Sequence, residues 1–419
     1  MAGEVRAIGG ALREIVALRG RRLVGAHVRR DPILRLYTRA GIADPYPVYA
    51  WVRAQGPMLR LRRGDRATAH YDCCREVLRS RDFGVRMPGD PGPSGPGPDV
   101  QLDLGMLERD PPDHTRLRRL VAPAFTPAAI ARHRALVEAT ADQLLDRAVR
   151  AGRFDLVTDY AAPLPVTIIT ALLGLDGSDA AVLAGHGAAI SSALDGVRSP
   201  AHLLAVIRAA GAIEPAFARL IEARRREPRD DLVSALVAAS DGGRLTAYEL
   251  YVTCSLLLVA GFETTVNLIG NAVSALLDRP ELWAALRDDP GLAGAVAEEV
   301  LRYDPPVQAT YRVAQVPTEV AGERFRPGEG VALFLGGAAR DPAAYPDPDR
   351  VQLHRPRATD HLAFSAGPHY CAGAPLARLE AEVALRRLVE RMPRLTRAGR
   401  GRWRPATTIR GYASLPVRA

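Results

Sequence analysis

The run Phe364-Ser365-Ala366-Gly367-Pro368-His369-Tyr370-Cys371-Ala372-Gly373-Ala374-Pro375-Leu376-Ala377-Arg378 constrains this chain more than any other stretch. It sets one cysteine between two glycines, with a histidine two residues before it and a helical pattern after it. Gly367 and Gly373 let the backbone bend and approach a flat ligand closely. The N–H groups of such a loop, and of the helix start behind it, point at an anion and favour thiolate over thiol. A soft thiolate in an apolar cleft is a good ligand for haem iron. A lone cysteine is most often a buried, inert thiol, but the residues around Cys371 argue against that here.

A second run, Ala260-Gly261-Phe262-Glu263-Thr264-Thr265, lies inside a long apolar helical pattern that starts near Leu250. Glycine and threonine both lower helix propensity, so the run is unusual in mid-helix. Thr264 is placed to turn its hydroxyl back to the carbonyl of Ala260 and distort the helix. An acid beside an alcohol makes a short proton relay. As a bare six-residue motif, a structural threonine on a structural helix would explain it nearly as well.

Two further constellations are weaker alone. Glu299 and Arg302 are three apart on a helix that ends at Tyr303-Asp304-Pro305-Pro306, so their side chains share a face. In Asp110-Pro111-Pro112-Asp113-His114-Thr115-Arg116-Leu117-Arg118, His114 and Arg118 are four apart on one face. His354, His361 and His369 show no familiar zinc spacing.

Composition narrows the classes. With 419 residues, 47% hydrophobic, the chain can bury a large core, and length alone would suggest two or three domains. Charged residues interrupt every apolar stretch, so no membrane span is expected. The first thirty residues carry arginines throughout and lack a signal-peptide core, which leaves the cytoplasm as the expected compartment. Four cysteines fit a reducing compartment better than a disulfide framework, and Cys73, Cys74 and Cys254 read as structural. All 56 basic residues are arginine and the net charge is +9, yet no nucleic-acid-binding motif accompanies the charge. The arginine bias, with the richness in alanine and proline, suggests a GC-rich bacterial genome.

Residues 1–35 read as a basic N-terminal extension, with Val5, Ile8, Leu12, Ile15 and Val16 at helical spacing. Residues 36–419 read as one unit. A helix opens after Asp44-Pro45, and short β segments follow at 58–62 and 67–71. The Gly/Pro-dense stretch 87–98 reads as a long loop. From 154 to about 277 the pattern is mainly helical, and β-like segments reappear from 313 to 334.

Taken in order, these runs resemble the soluble bacterial branch of the cytochrome P-450 superfamily, the haem-thiolate monooxygenases, from about Asp44 to the end. One departure is visible: the family usually places glycine after the phenylalanine, where this chain has Ser365. The resemblance implies a mainly α fold, a single large helical domain with a small β region and haem b between two helices. It makes Cys371 the iron ligand, with Phe364, Gly367 and Gly373 shaping its loop and Ala260 on the helix above the haem. His114, Arg118, Arg312 and His369 would neutralise the haem propionates. Thr264 would steady the oxygen being activated and Glu263 would help deliver protons. Glu299, Arg302 and Arg355 would form a buried structural triad. The stretch 87–98 would cover the substrate, and Met106, Leu107, Val259, Val307, Thr310 and Ile409 would line its pocket.

The implied reaction is insertion of one oxygen atom from O2 into a lipophilic organic substrate, with tailoring of a bacterial secondary metabolite such as a polyketide, terpene or peptide as the expected role. Desaturation, aryl coupling or ring formation would use the same haem chemistry, and a non-catalytic recruitment module would keep only the fold. No flavin, nicotinamide or iron–sulfur signature is present, so a ferredoxin and its reductase are the implied electron donors to a monomer. Arg116, Arg119, Arg378 and Arg386, near the Cys371 loop, are the arginines expected to meet an acidic partner.

Overall fold

A computed structural model describes residues 31–61, 64–90, 103–175, 177–193, 199–356 and 358–419. The helical reading of residues 1–30 and most of the stretch 87–98 lie outside the described residues.

The principal helices are α1 (Tyr46–Ala54), α2 (Tyr71–Arg79), α3 (Asp113–Val121), α4 (Arg134–Ala151), α5 (Pro163–Leu173), α6 (Gly177–Ser191), α7 (Pro200–Arg226), α8 (Leu232–Asp241), α9 (Ala247–Leu277), α10 (Pro280–Asp288), α11 (Ala293–Tyr303) and α12 (Ala374–Arg391). Their ends follow local chemistry. Prolines sit in the first turn of α5, α7, α10 and α12, where a missing N–H costs nothing. Gly174, at φ 76°, closes α5 in the left-handed conformation that glycine tolerates best. The second β segment ends earlier than expected, at Thr68, because Tyr71 already begins α2.

Helix α9 runs through the core. A capping box starts it: the Thr246 hydroxyl accepts the Glu249 N–H (3.1 Å), and the Glu249 carboxylate accepts the Thr246 N–H (2.9 Å). It packs on α5, α6, α11 and α12. Gly261 lets α5 approach, since a Cβ there would stand 2.5 Å from Ile169. By length and composition α9 is apolar enough to cross a membrane, against the expectation that no stretch would be, but 78% of its apolar window is buried inside the protein. Its hydrophobicity serves the core. The helix also runs unbroken through Gly261 and Thr264.

The β region is small. Strands β1 (Leu59–Arg60), β2 (Arg66–Thr68), β3 (Phe83–Gly84), β4 (Thr310–Ala314) and β5 (Gly330–Leu333) form a sheet of order β1-β2-β5-β4-β3. Only the β2–β5 pair is parallel, with Arg66 opposite Val331. Near the C-terminus β6 (Arg402–Trp403) and β7 (Tyr412–Ser414) pair antiparallel, and the chain between them returns to the core through a bridge from Ile409 to Val307.

Candidate active site

The Cys371 loop is pressed against the end of α2. A Cβ on Gly367, which sits at φ 65°, would lie 2.4 Å from the carbonyl oxygen of Leu78, so glycine is required twice over. Ser365 also takes a left-handed conformation, φ 62°, and its buried hydroxyl has no partner among the described residues. The loop thus keeps the turn for which the family uses glycine, at the cost of a strained L-residue. The Cys371 N–H donates to the Phe364 carbonyl at 2.9 Å, and the Arg378 guanidinium lies 4.7 Å above the Phe364 ring. Gly373 caps α12 directly behind the cysteine.

Cys371 lies deep in the fold yet is open to solvent, unlike the buried Cys73, Cys74 and Cys254. Burial pushes its thiol pKa up, while the N–H groups of Gly373 and Ala374 and the charges of Arg118 and Arg378 pull it down. On α9, residues 256–259 are buried but Ala260 is exposed, and Gly261 and Thr264 are half-exposed. Among the described residues Thr264 does not bond back to Ala260, so its hydroxyl stays open. The two exposed spots, Ala260 and Cys371, fall on the packed pair α9 and α12 or at its edge.

Two histidines and two arginines gather beside the loop, with Asp110 as the nearby carboxylate. The His114 and His369 rings are 4.1 Å apart, and His369 Nε2 stands 3.8 Å from Asp110, too far for a hydrogen bond. Burial, His369 and Arg118 hold the His114 pKa down at about 4. Arg312 is 6% exposed and, among the described residues, donates only to the Thr310 hydroxyl (3.0 Å) and the Tyr311 carbonyl (2.8 Å). Burial lowers its pKa to about 10. Arg118 has no acidic partner among the described residues. A buried guanidinium without a carboxylate is costly unless an anion completes it.

Glu299, Arg302 and Arg355 meet in one cluster. Arg302 grips the Glu299 carboxylate with two bonds of 2.8 Å, and Arg355 adds a third at 3.1 Å. The guanidiniums also donate to carbonyls of Ala339, Pro346, Pro348 and Arg350. All three residues are buried.

Glu263 is 4% exposed, and its carboxylate accepts a hydrogen bond from Arg404. Burial raises its pKa, with Arg404 and the nearby Asn267 opposing. Sequence reading missed Arg404, which is 141 positions away with no pattern to link the two. Asn267 carried a readable signal: it stands one helical turn after Glu263 in an apolar run. Of the proposed pocket residues, Val307 and Ile409 meet across their bridge, and Met106 and Val259 join the main core cluster. Leu107 differs: at 48% exposure it turns outward while Met106 turns in.

Comparison with known proteins agrees with this geometry. Residues 291–399 match the family model described as Cytochrome P450. The chain is 39% identical over 416 residues to "Putative cytochrome P450 140" of Mycobacterium tuberculosis, covering 96% of this chain and 94% of that one. It is 42% identical over 388 residues to "Cytochrome P450 monooxygenase PikC" of Streptomyces venezuelae, covering 90% and 91%. The solved structure of Mycobacterium smegmatis CYP164A2 in its ligand-free state superposes with a TM-score of 0.84 at 37% identity, covering 93% of this chain and 99% of that one. The chain belongs to the cytochrome P450 family. It is an oxidoreductase of the monooxygenase type, and its cofactor is haem.

Proposed function

We propose that the protein inserts one oxygen atom from O2 into a lipophilic organic substrate, as a step in tailoring a bacterial secondary metabolite. The observation that carries the site assignment is the coincidence of an accessible thiol at Cys371 with two nearby guanidiniums, Arg118 and Arg312, that contact no carboxylate among the described residues. Haem fits this set, since it brings an iron for the thiol and two propionates for the cations. Bound there, it would supply oxygen activation, with a thiolate ligand donating electron density toward O–O cleavage.

The residues do the rest. Cys371 holds the iron as thiolate, its charge favoured by the Gly373 and Ala374 N–H groups and by Arg118 and Arg378. His114, Arg118, Arg312 and His369 bind the propionates, and Ala260 leaves room for the ring. Thr264 keeps an open hydroxyl toward the oxygen site. Glu263, held by Arg404, exchanges protons with it. Glu299, Arg302 and Arg355 hold the chain leading into the cysteine loop. Met106, Val259, Val307, Thr310 and Ile409 shape a largely apolar pocket, which suits a lipophilic substrate.

Electrons come from a ferredoxin with its reductase. Three arginines expected at that surface are engaged otherwise: Arg116 with Glu249, Arg378 with Glu298 and Arg386 with Glu138. Arg119 and Arg79 remain exposed without acidic partners among the described residues, and Arg79 adjoins Gly367. These two are the better docking candidates for an acidic protein.

The test is spectroscopic. Reduced protein under carbon monoxide should show the strongly red-shifted Soret band of a thiolate ligand, and Cys371→Ala should lose it. Haem binding with that band intact in Cys371→Ala would overturn the assignment. Mass spectrometry of products from a panel of lipophilic metabolites then identifies the substrate class.

A further inference from the structure

We infer that Glu263, Asn267 and Asn271 line a water-filled proton conduit that joins the acid of the oxygen site to a solvent-open cleft at the far end of α9. The inference rests on the assignment of Glu263 as the proton-exchanging acid and adds where its protons come from.

The three residues are spaced i, i+4 and i+8, which puts them on one face of the helix. Their neighbours on α9 are mostly apolar, and the three are 4%, 1% and 1% exposed. Each nonetheless carries a buried polar atom with no hydrogen-bond partner among the described residues: Oε2 of Glu263, both amide atoms of Asn267 and Oδ1 of Asn271. Four unpaired polar atoms in a row along one buried face are unusual, because such groups are normally satisfied. Ordered water is the usual remedy where several polar atoms converge. Asn267 itself lies close against the backbone of Gly411, where a Cβ would stand 2.0 Å from Oδ1.

The stripe ends in the open. Asn271 donates its amide to the carbonyls of Asp304 (3.1 Å) and Arg410 (3.4 Å) and lines a cleft of ≈ 400 Å³ with Ser274, Trp403 and Tyr412. Ser274 continues the same helical face and hydrogen-bonds the Tyr412 hydroxyl at 2.8 Å. Arg404 offers a shorter link to solvent, since its side chain is 26% exposed, but a guanidinium stays protonated and cannot hand a proton on. It fixes one oxygen of Glu263 and leaves Oε2 to face the stripe. The amides are positioning residues: they hold the waters, and the waters carry the proton. Each proton that Glu263 gives to the oxygen site is replaced by one from the cleft, so the carboxyl returns to its starting state and no electrons move.

The experiment uses the holoenzyme. Infrared spectra, taken at a pH low enough to protonate Glu263, give its carboxylic C=O band, assigned by its loss in Glu263→Gln. The rate at which that band shifts after transfer to D2O is then compared between proteins. Asn271→Leu and Asn267→Leu should slow the exchange tenfold or more, and Asn271→Ser, which leaves room for water, should stay within about threefold of wild type. Equal exchange in wild type and both leucine variants would sink the conduit, while a loss of product per electron in Glu263→Gln would still uphold its parent assignment. Unchanged product yield in Glu263→Gln would instead remove the parent assignment, whatever the exchange rates. Should the leucine variants fail to bind haem, a crystal structure of the wild-type protein decides: ordered waters on Glu263 Oε2 and Asn271 Oδ1 support the conduit, and a dry gap between them overturns it.

Discussion

The imidazole rings of His114 and His369 lie 4.1 Å apart, tilted by 37°, with the buried Arg312 among the charges that act on His114. Burial, then His369 and Arg118, depress the His114 pKa from 6.5 to about 4. A histidine depressed by folding is held neutral in the native state while the unfolded chain takes up a proton. Its contribution to stability is therefore complete above pH 6.5 and is lost as the pH falls through about 4. Thermal melts of the haem-free protein between pH 7 and pH 4 should show wild type losing stability faster than His114→Gln. Parallel curves would mean that His114 titrates alike in both states.

Breaking the Glu299 cluster should damage folding before chemistry. Removing Glu299 leaves the 0%-exposed Arg302 and the 6%-exposed Arg355 without their carboxylate. Breaking a buried pair costs roughly 3–5 kcal/mol. Glu299→Ala should express poorly or denature at clearly lower urea than wild type, with haem lost in the same transition.

Ser365 gives the opposite sign. Its φ of 62° disfavours an L-residue. Relief of about 1 kcal/mol is expected from Ser365→Gly, partly offset by the greater freedom of glycine in the unfolded chain. Urea unfolding should show a small stabilisation with the carbon monoxide band unchanged.

Glu380 is fully buried in α12, and among the described residues neither carboxyl oxygen has a hydrogen-bond partner. Burial raises its pKa well above the usual value, and the nearby Thr265 hydroxyl offsets only part of this. An acid raised by folding keeps its proton in the native state, so its contribution is complete below about pH 4.5 and falls as the pH climbs toward the folded value. Glu380→Gln should gain on wild type as pH rises, by at most about 1.4 kcal/mol per pH unit. A constant difference from pH 5 to 8 would show that Glu380 is ionised in the native state.

Thr264→Ala removes the open hydroxyl without touching Cys371 or the apolar pocket. Haem and substrate should still bind, and NADH consumption should continue while product falls and hydrogen peroxide rises. General acid help of this kind is worth ~10²–10⁴ in rate. Thr264→Ser should keep much of the coupling. Equal product per NADH in wild type, Ala and Ser would reduce Thr264 to a helix residue.

What the sequence determined by itself was the local chemistry. Spacing put Glu299 and Arg302 on one face, glycines marked the bends beside Cys371, and prolines and glycines punctuated the helices. Each of these signals spans a few residues, so a linear reading can find it. Tertiary structure alone decided the long-range matters: that Arg404 reaches Glu263 from a C-terminal hairpin, that Arg116, Arg378 and Arg386 are taken by Glu249, Glu298 and Glu138, and that α9, apolar enough for a membrane, is instead the core of the fold. No periodicity encodes which distant acid an arginine will meet. That choice depends on how whole helices pack, and an apolar helix is equally content in lipid or in protein until its neighbours cover it.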